Sequence, residues 1–134
     1  MELNRVYQDD RNYKIRENDA QLKKCMACVG HQQYQYAEDC FEEAIRYGLE
    51  VVKDNDQFYL QEMFNTYHRY YAAFKRMKYY EGAKWCLQQD VVFLRRLAVP
   101  REEKKRKLAD IRKKYEIVGG DVHDIRVRWQ QAVD

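Results

Sequence analysis

The sequence predicts an all-α protein built from antiparallel helical hairpins, and three observations carry that expectation. Apolar residues recur at i, i+3, i+4 and i+7 from about Asn18 onwards, and no stretch alternates with a period of two. The single proline, Pro100, falls between two stripes. Short polar breaks separate the stripes, so successive helices are expected to fold back on one another. The 134 residues, 46% apolar and 35% charged, suit one helical domain over 1–134. A chain of this size removes roughly 65–70% of its unfolded surface from water and holds a core without disulfides.

Residues 1–17 are too polar for a stripe, and a short helix or a frayed arm fits them equally. Asp19 is the first N-cap candidate. Leu22, Cys25, Met26 and Val29 then share one face, and Gly30 is a stop. After Tyr34 the stripe is Ala37, Cys40, Phe41, Ala44, Ile45, Gly48 and Val52, with Glu38, Asp39, Glu42, Glu43 and Arg46 mostly off it. Asp54-Asn55-Asp56 breaks the pattern with turn and capping residues. The next helix carries Leu60, Met63, Phe64, Tyr67, Tyr71 and Phe74 on one face and ends near Arg76-Met77-Lys78. A further stripe of Tyr80, Ala83, Leu87, Val91, Leu94 and Ala98 stops at Pro100, which restricts the residue before it.

Pro100 also opens the following helix. Proline suits a first helical turn, and Glu102 with Glu103 sets negative charge at the positive end of the helix dipole. The stripe there is narrow: Leu108, Ile111, Tyr115 and Val118, closed by Gly119-Gly120. Asp121 then caps a last helix whose face is Val122, Ile125, Trp129 and Val133, with Asp124 at its N3 position. Residues 18–98 thus form the hairpins and residues 100–134 a basic C-terminal pair.

Cys25-x2-Cys28 followed by His31 and Cys40 is the one arrangement that suggests metal, because zinc selects thiolate and imidazole. Structural zinc is usually held by knuckles or loops, whereas these cysteines lie on a helix face shared with Leu22 and Val29. Core packing of free thiols is the simpler account, and no cofactor is expected. Haem attachment is excluded, since Val29 stands where a histidine must follow the second cysteine. The N-terminus, Met1-Glu2-Leu3-Asn4-Arg5, lacks the apolar stretch of a signal peptide, and no apolar run reaches the ~18 residues of a membrane span. A soluble, cytoplasmic protein with no membrane partner is expected.

Nothing in the sequence assembles catalytic chemistry. The three histidines, His31, His68 and His123, fall on different elements. Glu42-Glu43 and Glu102-Glu103 are adjacent and therefore diverge on a helix, and no glycine loop could cradle phosphate. A non-enzymatic role follows. The twelve tyrosines fit such a role, since tyrosine joins a large apolar body to a hydroxyl that needs water or a partner.

Two segments share a pattern 46 positions apart. Tyr34, Ala37, Phe41 and Ala44 correspond to Tyr80, Ala83, Leu87 and Asp90. This resembles the second helix of the tetratricopeptide-repeat family, where small residues let neighbouring helices approach closely. The family's first-helix pattern lands on Tyr67, Tyr70, Tyr71 and Phe74 in one unit and on Gln21, Lys24, Cys25 and Cys28 in the other. Tyr71 and Asp90 depart from it by standing where small residues belong. The resemblance implies a short stacked array over residues 18–98, with C-terminal capping helices and a first-helix surface that receives a peptide or a partner helix. Arg69, Tyr70 and Arg76 are the expected contact residues on that surface, Tyr70 lying at the edge of its core stripe.

The net charge of +3 hides an uneven distribution. Arg95, Arg96, Arg101, Lys104, Lys105, Arg106, Lys107, Arg112, Lys113 and Lys114 face only Glu102, Glu103 and Asp110 over residues 95–114, a local balance of +7 against −4 for the remainder. A solvated helix face is the plainest account. An acidic protein surface or nucleic-acid phosphates are the functional ones. The leading expectation is a protein-interaction module or adaptor, the alternative a nucleic-acid-associated protein that uses the 95–114 face. A homodimer through the Leu108, Ile111, Tyr115, Val118 seam and the Trp129 helix is a further option.

Overall fold

The computed structural model describes residues 2–132, with side chains from Arg5 onwards. Val133, expected on the last helical face, lies outside the described residues. Among the described residues six helices follow one another: α1 (Glu2–Gly30), α2 (Tyr34–Val51), α3 (Gln57–Arg76), α4 (Tyr80–Arg96), α5 (Arg101–Ile117) and α6 (Val122–Gln131). The fold is all-α, with no strand among the described residues. It divides into two compact units, one ending at Asp54 and the other beginning at Asn55.

The first unit is the α1–α2 hairpin. Helix α1 runs without interruption through Asp19, so that residue is no cap; it pairs instead with Lys23 one turn later at 2.9 Å. The polar start of α1 is held by groups that a hydrophobic stripe does not register. Arg11 pairs with Asp54 at 2.5 Å, Lys14 with Glu50 at 3.3 Å, and the Tyr13 ring meets Tyr47 edge-on. Nearer the turn, Leu22, Cys25 and Val29 on α1 and Ala37, Cys40, Phe41, Ala44 and Gly48 on α2 are buried. Ile45, expected in that stripe, is half-buried, and Val51 joins Val52 in the core.

The second unit packs α3 against α4, and α4 in turn against α5 and α6. The expected α3 stripe is buried in full. Asp56 caps this helix by accepting from the Phe58 and Tyr59 amides. Helix α4 is central, so it buries more than one face: Cys86, Gln89, Asp90 and Phe93 go inside together with Ala83, Leu87, Val91 and Leu94. Tyr80 and Ala98, expected on its core stripe, are exposed at its two ends, while Leu97 is buried. Gln57 ties the ends of the hairpin together by donating to the Arg96 carbonyl and accepting from the Ala98 amide at 2.7 Å. Pro100 occupies the N-cap of α5 rather than its first turn. Asp121 caps α6 through the His123 amide, as its position suggests.

Helices α1 and α3 end in the same way, 46 positions apart. Gln32 and Lys78 both take left-handed backbone, with φ of 60° and 59°. In each case the next amide reaches back to close the helix, Gln33 to the Cys28 carbonyl and Tyr79 to that of Phe74. Gly30 therefore lies inside α1, and the reversal itself falls on a glutamine. Helix α5 closes by the same device, with Gly119 at φ 86° and the Gly120 amide on the Tyr115 carbonyl.

Candidate functional site

Three neighbouring helices bring Asp90, His68 and Lys114 into one chain of polar contacts. Asp90 sits in the middle of α4, fully buried, because α4 is covered on several sides. Its Oδ2 lies 2.8 Å from Nδ1 of His68 on α3. Nε2 of the same imidazole lies 2.6 Å from the Lys114 ammonium on α5. An ammonium can only donate, so Nε2 accepts; Nδ1 then carries the ring proton and donates to Asp90. The imidazole stacks on Phe64, with centroids 5.6 Å apart and planes inclined by 23°, and lies 5.8 Å from Tyr71. Lys114 also holds Asp110 at 2.9 Å.

Burial dominates the electrostatics of this chain. Loss of water around Asp90 pushes its carboxyl up to about 7, while the His68 hydrogen bond and the Lys114 charge pull the other way. The second carboxylate oxygen, Oδ1, is buried without a hydrogen-bond partner. Chemically, the arrangement fixes the His68 tautomer and clamps α5 to the α3–α4 hairpin. The second imidazole nitrogen is occupied by Lys114, so the arrangement is a positioning device rather than an exposed base.

Two cavities flank α5. The first, of about 400 Å³, is lined by Phe64, His68, Arg106, Lys107 and Asp110, with the Lys107 ammonium 5.4 Å from the Phe64 ring centre. The second, of about 360 Å³, is lined by Arg95, Arg101, Lys104, Lys105, Leu108 and Trp129. There the Arg95 guanidinium stacks over the indole at 4.8 Å, and Lys104 donates to the Arg95 carbonyl at 3.0 Å.

The expected basic residues, on the end of α4 and on α5, therefore divide between two sides of α5. Arg95, Arg101, Lys104 and Lys105 meet in the Trp129 groove, and Arg106 and Lys107 meet in the His68 groove. Lys114 is drawn into the buried chain, and Arg96 contributes its carbonyl to Gln57. Arg112 is half-buried and Lys113 exposed. On α3, Arg69 is exposed and donates to the Thr66 hydroxyl, the half-buried Tyr70 ring lies 6.4 Å from Phe74, and Arg76 is exposed in the last turn. Neither of the two α5 cavities is lined by these three residues. Of the proposed dimer seam, Ile111, Tyr115 and Val118 are buried inside the unit, while Leu108 and Trp129 keep exposed surface.

The contact between His68 and Asp90 is what the stripe pattern did not pair. The available signal was a carboxylate at a position of α4 where the repeat pattern asks for a small residue. In the first unit, Cys25, Cys28 and Cys40 are free thiols. Among the described residues, no group of three histidine, cysteine or acidic side chains is placed to hold a metal ion. No described helix is long and apolar enough to cross a membrane. No family model, curated protein or solved structure matches the chain.

Proposed function

We propose that the chain is a non-enzymatic protein-interaction module, a tetratricopeptide-like scaffold whose cationic α5 side receives an acidic segment of a partner protein. The observation that carries this reading is the Trp129 groove, where four cations converge around an indole and a leucine and, among the described residues, no acidic side chain lines the cavity. Such a lining suits carboxylates flanking one apolar or aromatic side chain: the cations supply charge complementarity, and Trp129 with Leu108 supplies the apolar contact. The clamp between Lys114, His68 and Asp90 supports the reading by holding α5 in place from its other side. Arg69, Tyr70 and Arg76 on α3 form a second contact region in this proposal.

The test is a fluorescence titration of the full chain with a labelled peptide rich in Glu and Asp around one Phe, beside a labelled single-stranded RNA and a DNA duplex of equal charge. The expected result is peptide binding that weakens with salt and falls at least tenfold in the Arg101→Glu, Lys105→Glu variant. Both residues are exposed, so the variant keeps the fold. Tighter binding of the nucleic acids, fading steeply between about 50 and 200 mM salt, would replace this reading with the phosphate-binding one.

A further inference from the structure

We propose that Cys28 and Cys40 form a reversible disulfide across the α1–α2 hairpin, made by exchange with a low-molecular-weight disulfide. Cys28 lies in the last turns of α1 and Cys40 in the second turn of α2. The turn between them brings the two side chains together, since Gln33 bonds back to the Cys28 carbonyl at 2.8 Å and α2 starts at the next residue. Cys28 is near enough to influence the ionisation of Cys40, and both line an open cavity of about 580 Å³ together with Lys24, Gln21 and Tyr36. A small disulfide can therefore reach them without unfolding of the hairpin.

The four cysteines differ in access, and this sets the order of events. Cys25 and Cys86 are fully buried, and loss of water pushes the Cys25 thiol up to about 12, so it stays protonated and inert. Cys28 is half-buried and meets the cavity. Cys40 is more enclosed; burial and the neighbouring Cys28 push its thiol up, while the Lys24 charge opposes them. Cys28 is thus the attacking residue and Cys40 the resolving one. The Cys28 thiol loses its proton to solvent and attacks one sulfur of the small disulfide. That S–S bond breaks, and the first small thiolate leaves and takes up a proton. Cys40 then loses its proton and attacks Cys28 Sγ, expelling the second small thiolate, which is protonated in turn. Two protein thiols are oxidised, one small disulfide is reduced to two thiols, and the hairpin gains a covalent bond between its helices.

The experiment incubates the folded full chain with oxidised glutathione, blocks remaining thiols by alkylation, and reads the intact mass and the linked peptides. The wild type is expected to lose two hydrogen atoms, with a peptide pair joining Cys28 to Cys40, and dithiothreitol restores both thiols. The Cys40→Ala variant should stop at a glutathione adduct on Cys28, whereas Cys28→Ala should give neither adduct nor disulfide while keeping the helical circular dichroism of the wild type. Because a variant can lose its fold, the wild type is also sampled at early times, when the adduct is expected on Cys28. A wild type that retains both free thiols, an adduct that forms first on Cys40, or a linkage to Cys25 or Cys86 would overturn the proposal.

Discussion

Replacing His68 by phenylalanine removes the hydrogen bond to Asp90 while keeping an aromatic ring on Phe64, and the structure fixes how the cost must vary with pH. In the native state Asp90 binds its proton with a carboxyl raised to about 7 by burial, far above its ordinary 3.8. Between these values the folded state holds more protons than the unfolded state, so stability contributed by Asp90 is fully present at acid pH and is lost as pH rises through about 7. His68 offsets that loss, because its hydrogen bond favours the carboxylate. Without it, a carboxylate that is fully buried, with Oδ1 already unpartnered, keeps no donor from α3. Breaking a buried pair in this way costs about 3–5 kcal/mol at pH 8. At pH 5 the native carboxyl is protonated and neutral, and the cost shrinks to that of one lost hydrogen bond, about 1 kcal/mol. Lys114 is not stranded, since Asp110 remains 2.9 Å away. Urea unfolding of wild type, His68→Phe, Asp90→Asn and the double variant at both pH values gives the coupling energy directly. A coupling that is equal at pH 5 and pH 8, or below about 0.5 kcal/mol at pH 8, would refute the assignment of Asp90 as a buried carboxylate held by His68.

Three further outcomes are expected. Gly120→Ala places a methyl group against the ring of Tyr115, which is buried and tied through its hydroxyl to Gln88 at 2.6 Å and Asp124 at 3.2 Å, so the ring cannot give way and thermal unfolding should show a loss of about 1–3 kcal/mol. Lys78→Gly and Gln32→Gly each relieve a side chain from left-handed backbone and should raise stability by about 0.5–1 kcal/mol, read as a shift in urea midpoint with unchanged slope. Arg69→Ala combined with Tyr70→Ala should weaken the acidic peptide by about fivefold or more, the loss of about 1 kcal/mol that marks a true contact residue, with little change in melting temperature; equal binding would remove the α3 surface from the interface.

The sequence made the hairpins legible because burial on one face imposes a 3.6-residue period, and α2, α3 and the start of α4 follow it. The start of α1 was not legible, since ion pairs such as Arg11–Asp54 and Lys14–Glu50 join residues far apart in the chain and leave no period behind. Glycine as a stop signal matched the end of α1 at Gly30, but the left-handed residue of the turn is Gln32, where the closing hydrogen bonds outweigh the modest cost of that backbone. The basic composition of α5 was plain, but its division into two grooves was not: which cation meets Trp129 and which meets His68 depends on how α5 sits between its neighbours.

The sequence by itself determined the helical class, the positions of the turns and the concentration of positive charge in α5, because these follow from local spacing, capping and composition. Only the tertiary structure decided that Asp90 is buried, that His68 carries its proton on Nδ1, and that Lys114 is turned inward from a basic run. The physical reason is that a side chain's ionisation and partners depend on how many helices cover it. For α4 that number is set by contacts with α3, α5 and α6, which no single stripe encodes.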